Sequence, residues 1–321
     1  MSAHRHGPGE WLSLFALTAM WGSSFLFTKL AVSALPVEWV VTARLGLGAL
    51  VLVGLAWLLR QAVPRGVRLW FFFGLIAVLG NLLPFSLITW GQRFIDSGLA
   101  GILMAIMPLA TLGLAHVFVP GERLTGNRVL GFLIGFAGIV VLIGPEALLA
   151  VGGDRGPLLP MLAVLAGALS YGTSAILARL KPPSHALPTA AATTALAALL
   201  SLPLGLDTWT GARLADAAAA LTPAVLGAVG FLGLFSTATA MVIYFRLIRT
   251  AGPSFTSQMN YLIPLWAVGI GILFLDEEPT AGHLLGLVLI LSGILWSRRT
   301  PKARIGAGYS NRSLKALAKR L

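Results

Sequence analysis

The sequence predicts an all-α polytopic membrane protein with ten transmembrane helices, built as two inverted five-helix repeats. Three observations lead to this prediction: an apolar composition, basic residues on alternate connections, and an internal repeat. Of the 321 residues, 57% are hydrophobic and only 11% are charged, whereas soluble domains carry roughly 25% charged residues. A water-soluble surface with so few charges would aggregate, so we expect lipid to surround most of the chain.

Ten apolar stretches reach or approach the length of about 20 residues that a membrane-spanning helix needs. Backbone groups in lipid must be hydrogen-bonded within their own segment, so we expect these stretches to be helices. The first stretch is too long for the core of a signal peptide and is interpreted as a retained helix. The predicted spans are 11–31, 37–59, 69–90, 97–118, 128–145, 157–179, 186–206, 222–246, 253–275 and 281–297.

The basic residues predict the orientation of the chain. If the N-terminus lies inside, the inner segments hold 18 of the 23 Lys and Arg residues, and the outer connections hold only Arg93, Arg155 and Arg213. Short cytoplasmic loops carry an excess of Lys and Arg, so both termini are predicted to be cytoplasmic. Most acidic residues fall on the outer side, which agrees with this orientation.

The chain repeats itself at offsets of 150 and 156 residues: residues 20–26 match 170–176, and Pro108 matches Pro264. Each copy holds five predicted spans, and an odd number turns the second copy upside down. Inverted repeats recur in secondary transporters, whose two halves open a midplane site to alternate sides of the membrane. The predicted organisation is a cytoplasmic N-terminus (1–10), a first repeat (11–145), a linker (146–156), a second repeat (157–297) and a basic cytoplasmic tail (298–321).

Three features follow one another in the first repeat. They are Trp-Gly-Ser-Ser-Phe at 21–25, a span around Pro108 followed by Pro-Gly-Glu-Arg-Leu at 120–124, and a span with Gly131 and Gly138. In this order they resemble the EamA-type repeat, which defines the ten-helix branch of the drug/metabolite transporter superfamily. The resemblance covers residues 11–297, and within the branch the chain is most similar to YddG-type amino-acid exporters. It implies export of amino acids or other small metabolites across the bacterial inner membrane.

Arg44 is a charged residue within the second predicted span. Charged residues in membrane spans are costly and often functional, so Arg44 is a candidate anchor for a substrate carboxylate. Alternatively, its side chain reaches the outer interface or pairs with Glu38. Lys29, at the outer end of the first span, is either an interfacial residue or part of an outer gate.

Trp21 and Tyr171 are repeat-related aromatic residues near the middle of their spans, and Ser24 and Ser174 follow them. Such side chains could line opposite walls of one pathway, because an indole or phenol contacts a substrate and still satisfies its polar atom. Helix packing beside neighbouring glycines is the alternative. Asn81 either lines the pathway or makes a hydrogen bond that holds two helices together.

A second polar group precedes the repeat-related proline of the ninth span. Prolines free backbone carbonyls upstream, so they mark helix breaks that line cavities. Met107 belongs with this group because it is the first-repeat counterpart of the residue before Pro264. The remaining pathway candidates are Met107, Gln258, Asn260 and Tyr261, and the candidate hinges are Pro84, Pro108 and Pro264.

No catalytic residue, metal site or cofactor is predicted. The chain has no Cys and five scattered His residues, and it lacks a phosphate-binding loop. The net charge is +12, and the basic residues lie mainly between spans and in the tail. They form no nucleic-acid-binding motif, so nucleic acid is not an expected partner. The alternatives to an amino-acid transporter are an exporter of other metabolites or drugs, an intramembrane enzyme and a channel.

The expected partners are a small-molecule substrate and the lipid bilayer, and ten helices suffice for a functional monomer. No Asp or Glu lies at mid-membrane depth in any predicted span. Proton relays commonly use such carboxylates. Facilitated diffusion or exchange is therefore favoured over obligatory proton coupling.

Overall fold

In a computed structural model, the described residues form helices joined by short turns, and no strand occurs among them. The predicted linker 146–156, the basic tail 298–321 and the candidate Gln258 lie outside the described residues. The description covers residues 7–62, 64–118, 125–143, 158–206, 215, 218–251, 256 and 259–297.

The first half of the chain folds into successive helices, one of which widens into a π-helix along its length. This first π-helical segment is Val78–Leu82. The α-helices are α1 (Pro8–Ala34), α2 (Val37–Leu58), α3 (Val67–Ala77), α4 (Leu83–Gly91), α5 (Ser97–Met104), α6 (Met107–Phe118) and α7 (Gly126–Ile143).

The second half of the described chain also consists of successive helices, and one of them widens. The second π-helical segment is Phe231–Thr239, and a short 3₁₀ turn at Leu202–Gly205 precedes the gap before it. The α-helices are α8 (Leu158–Leu180), α9 (Ala186–Ser201), α10 (Pro223–Gly230), α11 (Ala240–Ala251), α12 (Met259–Leu275) and α13 (Ala281–Ser297).

Seven described helical stretches are long and apolar enough to cross a membrane, and residues 129–141, 262–275 and 281–296 form shorter apolar helices. Large apolar side chains cover the outside of these helices: Trp57 is 80% exposed and Leu273 is 74% exposed. Water would not tolerate so much contiguous apolar surface. The described chain is therefore all-helical and has the apolar exterior of a polytopic membrane protein.

Prolines explain two irregularities in the first half. Pro84 is the second residue of α4 and has no N–H for the carbonyl of Gly80, which lies in the first π-helical segment. Pro108 has the same relation to Met104, where α5 ends, so the predicted span 97–118 is interrupted at residues 105–106. Pro264 differs, because it lies inside the continuous helix α12.

Hydroxyl groups accompany the second π-helical segment, which contains no proline. The Thr237 Oγ1 donates to the carbonyl of Leu232 at 2.8 Å, and the Thr239 Oγ1 donates to that of Leu234 at 2.8 Å. Both bonds reach five residues back, which is the spacing of a π-turn. The side chains therefore supply donors to carbonyls inside the widened turns.

Glycines bring α7 and α13 together, and these helices occupy corresponding positions at the ends of the two halves. A Cβ atom on Gly293 would lie 2.7 Å from the Gly135 nitrogen, and one on Gly138 would lie 2.9 Å from the Gly286 carbonyl oxygen. Small residues permit this backbone approach in membranes, where helices gain little from hydrophobic burial against one another. The contact joins the two halves of the chain.

We expect Gly293→Ala to destabilise the protein by about 1–3 kcal/mol, because the added methyl group forces the two backbones apart. Gly269→Ala in α12 is the matched control, since nothing lies within 4 Å of its Cβ position. There, the higher helix propensity of Ala should leave stability unchanged or raise it by up to about 1 kcal/mol. Thermal unfolding in detergent measures both, and equal shifts for the two variants would refute the close contact.

Candidate functional site

Arg44 lies in α2 with its guanidinium buried, at 8% exposure. The Nε donates to the Thr237 Oγ1 at 3.1 Å, and the Nη2 donates to the Ser236 Oγ at 3.4 Å. The Cζ atom lies 3.8 Å from the centre of the Phe85 ring. The side chain is therefore buried among helices, makes no ion pair with Glu38, and connects α2 and α4 to the second π-helical segment.

The charge of Arg44 has no acidic counterpart among the residues that the structure describes. Two hydroxyl groups accept from the guanidinium, which carries five N–H donors. Placing an ionised group away from water costs several kcal/mol unless an opposite charge compensates it. Within the described part of the chain, two hydroxyl groups and an aromatic ring therefore stabilise the guanidinium without an opposite charge.

Glycines let the second π-helical segment approach α2 closely. A Cβ atom on Gly48, one turn beyond Arg44, would lie 2.6 Å from the Thr237 Cγ2. On the opposing segment, a Cβ atom on Gly233 would lie 2.5 Å from the Leu47 Cβ. This close approach brings the two hydroxyl groups within reach of the guanidinium.

Tyr171 and its neighbours on α8 pack against the first π-helical segment and α4. The Tyr171 and Phe85 rings meet edge to face, with centroids 6.2 Å apart. The Ser170 Oγ donates to the carbonyl of Leu79 at 2.8 Å, and Ser174 lies against Gly80. Phe85 therefore contacts both Tyr171 and the Arg44 guanidinium, which lies over its ring.

Trp21 in α1 is bound to the other π-helical segment. Its indole Nε1 donates to the Ser236 carbonyl at 3.0 Å, and its ring lies 5.5 Å from that of Tyr244. The Ser24 Oγ donates back to the Trp21 carbonyl at 2.6 Å. Trp21 of the first half thus contacts the π-helical segment of the second half. Conversely, α8 of the second half contacts the π-helical segment of the first half near Tyr171.

Asn81 lies within the first π-helical segment and is 3% exposed. Its Nδ2 donates to the Ile76 carbonyl at 3.5 Å, whereas the Oδ1 has no partner among the described residues. Buried amide oxygens nearly always accept a hydrogen bond, so an unpaired one calls for an explanation.

The predicted group near α12 is only partly described. Asn260 is partly buried in the first turn of α12, and of Tyr261 only the helical backbone is described. Met107, at the start of α6, packs beside the core cluster of α5, α8 and α13. A residue that sequence reasoning missed, Trp266, attaches α12 to α1 by donating to the Ser23 Oγ at 2.8 Å.

Glu277 connects the turn between α12 and α13 to the start of α5. Its Oε1 accepts from the Ser97 N–H at 2.7 Å, and its Oε2 accepts from the Gly98 N–H at 2.8 Å. A carboxylate is favourable at a helix N-terminus, where backbone N–H groups are otherwise unsatisfied. Nearby, the Lys29 Nζ donates to the Ile95 carbonyl at 2.8 Å, which further fixes this end of the helices.

We expect Glu277→Gln to lower the stability by about 1 kcal/mol, because one acceptor and the negative charge are lost. Glu278→Gln is the matched control, since the adjacent Glu278 is exposed and surface changes usually stay within about 0.5 kcal/mol. Chemical denaturation in detergent measures the difference. Indistinguishable midpoints for the two variants would show that the cap does not stabilise the fold.

Comparison with known proteins gives a family match and several full-length relatives. The model of the EamA-like transporter family matches residues 9–144 and again residues 158–299. The "Uncharacterized transporter YoaV" of Bacillus subtilis is 25% identical over 293 residues, which are 90% of this chain and 96% of that protein. The "Uncharacterized inner membrane transporter YedA" of Escherichia coli is 27% identical, covering 81% of this chain and 80% of YedA.

Two further similarities concern substrate and fold. The "Probable terminal-alkyne amino-acid exporter" of Streptantibioticus cattleyicolor is 27% identical over 296 residues, covering 90% of this chain and 93% of the exporter. A solved crystal structure aligns with a TM-score of 0.60 at 20% identity, covering 91% of this chain and 97% of that one. At this identity, the structural match supports the fold alone.

Proposed function

The chain belongs to the EamA-like transporter family, and from this premise we propose that it is a secondary transporter for small organic metabolites, with amino acids as the leading substrates. Ten transmembrane helices in two inverted repeats would enclose the pathway in one subunit. The protein would lie in the bacterial inner membrane with both termini in the cytoplasm.

Two observations support the inverted-repeat architecture. The family model matches the chain twice, over 9–144 and 158–299, and the described residues contain seven long and three shorter apolar helices. Five spans in each half would give the two copies opposite orientations. Such pairs of copies exchange conformations in secondary transporters, so that a midplane site opens to one side and then to the other.

The observation that carries the substrate proposal is the buried guanidinium of Arg44. It has no described acidic partner, and guanidinium groups recognise carboxylates through paired hydrogen bonds. A substrate carboxylate would compensate the charge, whereas a lipophilic cation would be repelled by it. The relative that is named as an exporter of a terminal-alkyne amino acid supports the same substrate class.

The contacts of Arg44 also suggest how binding would be linked to movement. The guanidinium joins α2 of the first half to Ser236 and Thr237 of the second. A carboxylate that takes over its donors would weaken this connection between the halves. Binding would then favour their relative movement, because a ligand shifts the equilibrium toward the conformation that it binds better.

We expect Arg44→Gln to reduce the exchange of neutral amino acids in proteoliposomes by at least about tenfold, since hydrogen bonds to charged groups contribute roughly 1.5–3 kcal/mol. Arg93→Gln, which removes an exposed charge, should retain wild-type exchange. Uptake is measured with pooled radiolabelled amino acids, with and without a pH gradient.

Two results would decide against the proposal, and a third would decide against the expected absence of proton coupling. Wild-type exchange by folded Arg44→Gln protein would remove the guanidinium from the site. An absence of uptake by monodisperse wild-type protein would exclude amino acids as substrates. A strict dependence of uptake on the pH gradient would contradict transport by exchange or facilitated diffusion.

A further inference from the structure

Asn81, whose Oδ1 has no partner among the described residues, precedes by four residues the Phe85 ring that the Arg44 guanidinium covers. Asn81 and Phe85 are four residues apart on one unbroken helical stretch from Val78 to Gly91. Residues at this spacing are neighbours on a helix surface, with their Cβ atoms about 5–6 Å apart. The Phe85 ring in turn lies 3.8 Å from the Arg44 Cζ.

The Arg44 guanidinium and the Asn81 side chain differ in the hydrogen-bonding capacity that they leave unused. Arg44 retains N–H donors and a positive charge, whereas Asn81 retains a carbonyl oxygen that can only accept. The first suits a carboxylate and the second suits an ammonium group. An α-amino acid carries both groups on one carbon atom.

We propose that Arg44 and Asn81 form a two-point site for the zwitterion of an α-amino acid. The carboxylate accepts from the Arg44 guanidinium, and the ammonium group donates to the Asn81 Oδ1. This inference rests on the proposed function and extends it, because it specifies which parts of the substrate are recognised.

The need to satisfy both Asn81 and Arg44 determines the selectivity of such a site. A carboxylic acid without an ammonium group would leave the Oδ1 buried and unpaired, and an amine without a carboxylate would leave the guanidinium uncompensated. Sites with buried polar groups discriminate strongly against analogues that lack the matching group. The site would discriminate less among the side chains of different amino-acid substrates, since the Phe85 and Tyr171 rings offer them an apolar surface.

The test compares matched ligands by their thermal stabilisation of the purified full-length protein and by competition for uptake. The panel contains L-leucine, L-phenylalanine and L-tryptophan with their N-acetyl derivatives and their decarboxylated amines. We expect wild-type protein to prefer the free amino acids over both kinds of analogue by about tenfold to a hundredfold.

Two variants of Asn81 separate recognition from folding. Asn81→Leu keeps the volume and removes the acceptor, so it should lose at least about tenfold in affinity for the amino acids and change little toward the N-acetyl derivatives. Asn81→Asp keeps an acceptor, so it should retain the preference for an ammonium group and reject N-acetyl derivatives more strongly.

The outcomes distinguish this inference from the function on which it rests. Amino-acid uptake without discrimination against N-acetyl derivatives would overturn the two-point site and leave the transport function intact. An equal loss of all ligands in Asn81→Leu, or an unchanged preference in that variant, would also overturn it. If no amino acid bound or entered at all, both proposals would be wrong.

Discussion

Hydrocarbon offers no hydrogen bonds, so a helix in a membrane can widen only where side chains satisfy the carbonyls that its backbone releases. Both π-helical segments obey this constraint. Ser170 donates to the first, and Trp21 and Thr237 donate to the second. Because Ser170 and Trp21 come from the opposite half of the chain, their hydrogen bonds to the widened helices also join the two halves.

The position of Arg44 follows from this arrangement. A guanidinium far from water is costly, and here hydroxyl groups of a widened helix and the face of an aromatic ring stabilise it in part. These neutral groups satisfy donors without cancelling the charge. The charge thus has no acidic partner among the described residues, which is why the proposed substrate carboxylate would gain from binding beside it.

The sequence predicted the family correctly. It also made Arg44 and Asn81 pathway candidates as polar residues within apolar stretches, and Trp21 as a repeat-related aromatic, and these site assignments stay predictions. It did not predict Ser236, since a hydroxyl in a membrane helix is common and π-widening depends on partners from other helices. Phe85 carried no signal, because its role depends on a ring face that only tertiary packing reveals. Glu277 carried no signal beyond its place among the outer acidic residues, because its two backbone contacts with α5 depend on tertiary packing.

A π-helical segment also changes how the chain can diverge. Each widened turn accommodates one residue more than an α-turn, and one residue corresponds to a rotation of about 100° in the register of everything that follows. Insertion or deletion of a single residue within 231–239 would therefore turn a different set of side chains toward the interior while the number of helices stayed the same. At such a segment, related transporters can come to differ in the side chains that face the interior while they keep the same arrangement of helices.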